Sequence, residues 1–228
     1  MLTDMNKGRS EAQNLARQFY RDQKKVLDLI RGHSPGSGFE FAVHRLFGDK
    51  PERGKTVRIG NREFIYSSLA KNLVSFLPAG WHEELDKTKG ARLGCENWWA
   101  GYPLIAWVEI RAGDDGTTGH LKLNAEVGPI SNHKVRKGII EAIKVAASAK
   151  GLERIQFPTG ASDKGRLYSR FLRKNSIAVN DIRSTDEMER RFAELIADFE
   201  PEFELVASVI PQFLSFNAPL VSSQLIPR

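Results

Sequence analysis

The chain has 228 residues, 41% of them hydrophobic and 27% charged, with a net charge of +6 and a pI of about 9.5. These are the values of a folded globular protein with one large domain or two small ones, and the basic balance suits nucleic acid or an acidic partner. A single cysteine, Cys95, excludes an internal disulfide and a Cys-based zinc site; the opening residues carry no apolar signal core and no run approaches a membrane span, so a reducing, cytoplasmic setting without membrane contact is expected.

In chain order, Arg9 to Arg31 predicts a long helix, with Leu15, Phe19, Val26, Leu27 and Ile30 near the helical period and Ser10 and Gln13 in capping-box spacing. Gly32 to Gly38 is a loop. Phe39 to Phe47 predicts a short helix with Phe39, Val43, Leu46 and Phe47 inward, followed by a polar turn over Gly48–Gly54. Thr56–Ile59 and Glu63–Tyr66 read as strands of a hairpin closed by Gly60-Asn61-Arg62. Ser67 to Phe76 reads as a helix stopped by Pro78, with one further turn at Trp81–Lys87. Gly94 to Tyr102 is irregular and rich in aromatic residues.

The second half is more regular. Pro103 to Arg111 predicts a strand, and Asp114-Asp115-Gly116-Thr117-Thr118 has hairpin-turn chemistry. The run from Gly119 alternates strictly: Leu121, Leu123, Ala125 and Val127 fall on one face and His120, Lys122, Asn124 and Glu126 on the other. A helix from His133 to Lys150 follows, packing through Val135, Ile139, Ile143 and Ala146. Arg154–Phe157 reads as a strand and Arg166–Arg173 as a looser alternation. Helices are predicted over Ser184–Phe199 and Glu202–Phe213, separated by Pro201, before an ill-ordered tail over Ser215–Arg228. The fold class is therefore α+β, a mostly antiparallel sheet from Pro103 to Arg173 with helical layers at both ends. Residues 1–93 form a helical layer with a small hairpin docked on the sheet, 94–214 the sheet domain with acidic C-terminal helices, and 215–228 a flexible tail.

Charge is segregated along the chain. Between Gly119 and Lys174 there are twelve Lys and Arg against four acids; between Asp181 and Glu204 there are nine acids against three Arg. Lys134, Arg136 and Lys137 open a helix, where backbone N–H groups also favour an anion, and Arg166, Arg170, Arg173 and Lys174 lie further on. These seven are the candidate nucleic-acid contacts, with DNA the expected ligand, because each neutralised phosphate releases counterions. The competing account is that the acidic helices pack over the basic block and cancel it.

Catalytic signatures are scarce. There is no phosphate loop, dinucleotide fingerprint, nucleophile elbow or zinc-protease motif, and no two histidines have metal-ligand spacing. His44, inside an apolar helix, reads as a hydrogen-bonded core residue. Glu109 and Glu126 fall on neighbouring strands, the arrangement by which Mg²⁺-dependent nucleases hold their ion. However, Glu109-Ile110-Arg111 has Arg where the attacking water needs Lys, and no Asp precedes it at a strand start. The two glutamates read as cross-strand surface residues, with no metal or other cofactor; Mg²⁺ enters only under the nuclease alternative. Trp98-Trp99, with Tyr102 and Trp107, reads as a core anchor, with a base-stacking platform as the alternative.

The succession of a strand, the alternating strand ending in Glu126-Val127-Gly128-Pro129, an Arg-bearing helix, a short strand and Lys164-Gly165-Arg166-Leu167-Tyr168-Ser169-Arg170-Phe171 resembles the region after the catalytic core in bacterial PD-(D/E)XK nuclease-superfamily proteins, many linked to phage defence. The resemblance spans Trp98 to Leu172. It implies a nucleic-acid-engaging accessory domain of a nuclease or defence system with a protein partner. It carries over no active site, since the family's catalytic pair is absent. Three functions stand open at this point: the accessory nucleic-acid binder, a metal-dependent nuclease with a degenerate site, and a protein-interaction module.

Overall fold

The computed structural model describes residues 38–87 and 94–214. The helix expected over Arg9–Arg31, the loop before Gly38 and the tail from Ser215 lie outside the described residues.

Seven strands form one antiparallel sheet. Strands β1 (Thr56–Ile59), β2 (Arg62–Ala70), β3 (Leu73–Pro78), β4 (Leu104–Ala112) and β5 (Gly119–Val127) lie side by side in chain order. The outer edge of β5 then receives β6 (Ser169–Arg170) at Glu126–Val127 and β7 (Ser176–Val179) at Gly119–Lys122. Between them the register slips by two residues, Lys174 adopts a left-handed φ of 49°, and Asn175 spans the gap with its backbone and amide on Leu123. Five helices complete the described residues: α1 (Gly38–Phe47), α2 (Ala79–Asp86), α3 (His133–Lys150), α4 (Thr185–Asp198) and α5 (Glu200–Leu214). The fold is α+β, as the alternating patterns imply.

The sheet extends further toward the N-terminus than the sequence pattern suggests. The stretch Ser67–Phe76, expected as a helix, is instead the end of β2, a tight reversal and β3. Ser68↔Ser75, Leu69↔Val74 and Ala70↔Leu73 pair, with a bulge at Ser67. Ser, Leu, Ala and Lys carry little strand propensity, so local preference favours a helix. The exposed edge of β4, whose Trp107 and Val108 pair with Ser75 and Val74, decides otherwise. Arg154–Phe157 contributes a single bridge, Ile155 to Leu172, in place of a strand. Strand β7 has no counterpart in the sequence reading. Pro201 does not interrupt α5 but sits in its first turn, where its missing N–H costs nothing.

The apolar set of each strand faces the helices. Val57, Phe64, Tyr66, Val74, Phe76, Leu104, Ala106, Val108, Leu121, Leu123, Ala125 and Val127 are all buried. Aromatic rings from both layers interlock there: Phe47 lies 5.9 Å from Phe192 and 6.0 Å from Phe76, and Trp81 lies 5.7 Å from Phe203 while donating its indole N–H to the Phe203 carbonyl at 2.8 Å. Each such side chain contributes about 1.5–3 kcal/mol on burial. Helix α3 is bounded as its sequence implies. Asn132 accepts from the N–H groups of Lys134 and Val135, and Gly151 ends the helix at a φ of 66°. Ser184 caps α4 through the Glu187 N–H.

Candidate functional site

The opposite face of the sheet carries the alternate residues of the same strands. Along β4 these are Ile105, Trp107, Glu109 and Arg111; along β5 they are Glu126, Asn124, Lys122 and His120, each directly across from its counterpart. Arg170 on β6 lies across from Glu126 on the other side. Trp107 is 2% exposed, covered by two groups. The Trp99 ring stacks on it at 5.6 Å and 17°, and the Arg170 guanidinium lies 4.8 Å from its centroid. Trp107 is thus an anchor beneath a charged, aromatic rim. Trp98 packs beside Tyr168 at 6.1 Å and so close over Gly128 that a Cβ at that position would overlap the indole.

The basic candidates fall into three environments. Lys134 and Lys137 are exposed on the first turns of α3, and Arg166 and Arg170 are exposed on and just before β6. Arg166 donates to the Tyr168 carbonyl at 3.3 Å and leaves its charge outward. Tyr168, 46% exposed, and Leu167, 52% exposed, stand between these two arginines. Arg173 and Lys174 lie apart, at the bulge: Arg173 is half-buried with one bond to the Leu172 carbonyl, and Lys174 stands 4.0 Å from Glu153.

Arg136 is a different case, and its expected phosphate role is corrected by its burial. It is 2% exposed and turns under the end of the sheet. It donates to the Gly128 carbonyl at 3.1 Å, the Ala161 carbonyl at 2.7 Å and Ser169 Oγ at 2.8 Å. Burial, with Arg166 nearby, holds its pKa below the ordinary arginine value, against the pull of Glu126. It clamps the 158–170 loop to the start of α3 and is not available to a surface ligand. Arg136 shares a helical face with Ile140 and Ile143, but the acceptors that admit its charge come from distant segments, Gly128, Ala161 and Ser169.

The carboxylates are equally divided. Glu109 is held by Arg111 at 2.8 Å and by Asn124 at 3.3 Å. Glu126 is 8% exposed, yet among the described residues no hydrogen bond or ion pair involves its carboxylate. Burial raises its pKa above the ordinary carboxylate value, and the charges of Arg170 and Arg136 only partly oppose that. The two glutamates do not converge. Glu109 pairs with Lys122, four residues from Glu126, a separation of about 13 Å along the strand, whereas a divalent ion needs oxygens within about 2–2.6 Å. Among the described residues no three His, Cys, Asp or Glu side chains are grouped as metal ligands. His133 bonds the Ser162 carbonyl at 2.9 Å, far along β5 from His120. The Nδ1 of His44 has no hydrogen-bond partner, contrary to the expectation of a satisfied core histidine. Cys95 is no nucleophile either: burial and Glu96 push its thiol up to about 12, and its Sγ lies 3.0 Å from the Pro129 carbonyl.

The acidic helices are neutralised elsewhere. Asp186 and Glu189 pair with Arg45, Glu200 and Glu204 with Arg62, and Asp198 and Glu202 with Arg154. Of the basic block, Arg154 alone is taken up by them among the described residues. Sequence reasoning placed Trp107 as an anchor, as it proves to be, but gave no role to Asn124 or Tyr168. The strict alternation of β5 was the signal that places Asn124 and Glu126 on one face, and the strand pairing adds Trp107 of β4 to it. No family model, curated protein or solved structure matches the chain.

Proposed function

We propose that the protein is a nucleic-acid-binding accessory module that grips phosphates through Lys134, Lys137, Arg166 and Arg170 and performs no reaction of its own. The observation that carries this reading is the pairing pattern. The acidic C-terminal helices spend their carboxylates on Arg45, Arg62 and Arg154, which leaves these four cations without a carboxylate partner among the described residues, at one end of the sheet. An exposed tyrosine stands among them, as suits a strand whose bases need a stacking surface. The first N–H groups of α3 are taken by the Asn132 cap, so the helix start adds only the positive end of its dipole. A place in a nuclease or phage-defence system, beside a protein partner, rests on the resemblance of residues 98–172.

The test is fluorescence anisotropy of labelled DNA against the full chain at increasing salt. Four phosphate contacts to a single strand give a slope of about −3 in log K against log salt, or about a 50-fold loss between roughly 50 and 200 mM. Replacing Lys134, Lys137 and Arg166 together with Ala should flatten that slope by about 2. Absence of binding at the lower salt, or a triple variant with the wild-type slope, refutes the reading.

A further inference from the structure

A buried carboxylate is normally paired, because a desolvated charge left without a partner is strongly destabilising. Glu126 departs from that rule in a specific way. Its cross-strand neighbour Arg170 is placed to pair with it, but the guanidinium lies on the Trp107 face instead. Arg136, the other positive charge nearby, is committed to Gly128, Ala161 and Ser169. Glu126 keeps 8% of its surface exposed, so the residue still reaches the sheet surface. What results is a fixed group that only accepts hydrogen bonds, on a rigid central strand. It has a flat cation on one side, and the Trp98–Tyr168 aromatic pair flanks the same strand end.

We propose that Glu126 reads a base: its two oxygens accept N1–H and N2–H from the Watson–Crick edge of an unpaired guanine, which stacks on the exposed Tyr168 and Arg170 planes. The inference rests on the nucleic-acid reading above. Guanine is the base whose free edge presents two adjacent donors to match two carboxylate oxygens. Adenine and cytosine each set one amino donor beside a ring-nitrogen acceptor, which the carboxylate repels. Thymine has one N–H between two carbonyls. A duplex hides this edge, so the ligand is a single strand, loop or end. The phosphate contacts then supply sequence-independent affinity, and Glu126 supplies the discrimination.

The experiment uses the full chain and four labelled strands: a dT 12-mer, and the same strand with one central dG, dA or dC. The dG strand should bind about tenfold more tightly than the others, the scale of one bidentate base contact. That preference should persist between roughly 50 and 200 mM salt while overall affinity falls, since base hydrogen bonds release no counterions. Glu126→Gln, of equal shape, should abolish the dG preference without changing the salt slope, because its amide pairs one donor and one acceptor, which suits adenine or cytosine rather than guanine. Glu126→Asp, which withdraws the carboxylate by one methylene, should reduce the preference for dG in the same direction. Wild-type protein that binds all four strands alike overturns the base-reading role and leaves the phosphate-binding reading standing. So does a Glu126→Gln variant that keeps the dG preference. Failure to bind any strand at the lower salt overturns the phosphate reading itself, and the inference with it.

Discussion

Replacing Arg136 with Ala tests whether this residue is a clamp or a ligand contact. The guanidinium is 2% exposed and satisfies the Gly128 carbonyl, the Ala161 carbonyl and Ser169 Oγ. Ser169 Oγ also donates to Ala161 at 3.0 Å, so that carbonyl keeps one partner after the change. The Gly128 carbonyl and one lone pair of Ser169 are left bare. At about 1–3 kcal/mol for each orphaned buried group, the loss is about 2–6 kcal/mol, reduced by the relief of a desolvated charge and increased by the void left by the side chain. A net of about 3–4 kcal/mol lowers the midpoint of a domain this size by about 6–16 °C. Calorimetry of Arg136→Ala beside wild type measures it. Lys134→Ala and Lys137→Ala, on the same helix but exposed, should stay within about 0.5 kcal/mol of wild type while losing DNA affinity. An Arg136→Ala midpoint within about 2 °C of wild type refutes the clamp and with it the reason for excluding Arg136 from the phosphate contacts.

Other outcomes follow from the same geometry. Plasmid, linear and single-stranded DNA incubated with the protein in Mg²⁺ or Mn²⁺ should all remain intact, because Glu109 and Glu126 are too far apart to share an ion; cleavage that disappears in Glu109→Ala or Glu126→Ala would sink this. Glu126→Gln should melt higher than wild type at neutral pH. The folded carboxyl has a raised pKa, so its favourable contribution is complete only when protonated, below about pH 4, and is lost as pH rises through the raised value. The difference between the two proteins should therefore close as pH falls; a constant gap from pH 4 to 8 contradicts the desolvation argument. Arg154→Ala should cost about 3–5 kcal/mol, since Glu202, 2% exposed, loses both of its 2.8 Å bonds and remains as an unpaired charge in the core. Truncation before Asp181 should give insoluble or molten protein by near-UV circular dichroism, because Phe192, Leu195, Ile196, Leu205 and Val209 are all buried in the common core.

Much of this molecule was legible from local pattern. The nine-residue alternation placed β5, and the spacing of Val135, Ile139 and Ile143 placed α3 at its observed bounds. These signals are short-range: a side-chain period and a cap are complete within one element. Charge segregation was legible too, but not its consequence. In sequence the acidic block faces the basic block as its natural counterweight, whereas in space, among the described residues, it meets Arg45 and Arg62, more than a hundred residues earlier, and of the basic block only Arg154. The stretch Ser67–Phe76 went unread because Ser67–Asn72 lacks strand formers, and β7 because its four residues are too few to show a period; the backbone edges of β4 and β5 make strands of both. The same holds for the candidate site. Lys134, Arg136 and Lys137 are alike as letters, yet one is entombed and two are free. Glu126 reads as an ordinary surface carboxylate until Arg170 is seen turned onto Trp107. A residue's type and period are properties of the chain, whereas whether its charge meets water, a partner or nothing depends on which distant segments fold against it. That is decided only when the sheet closes.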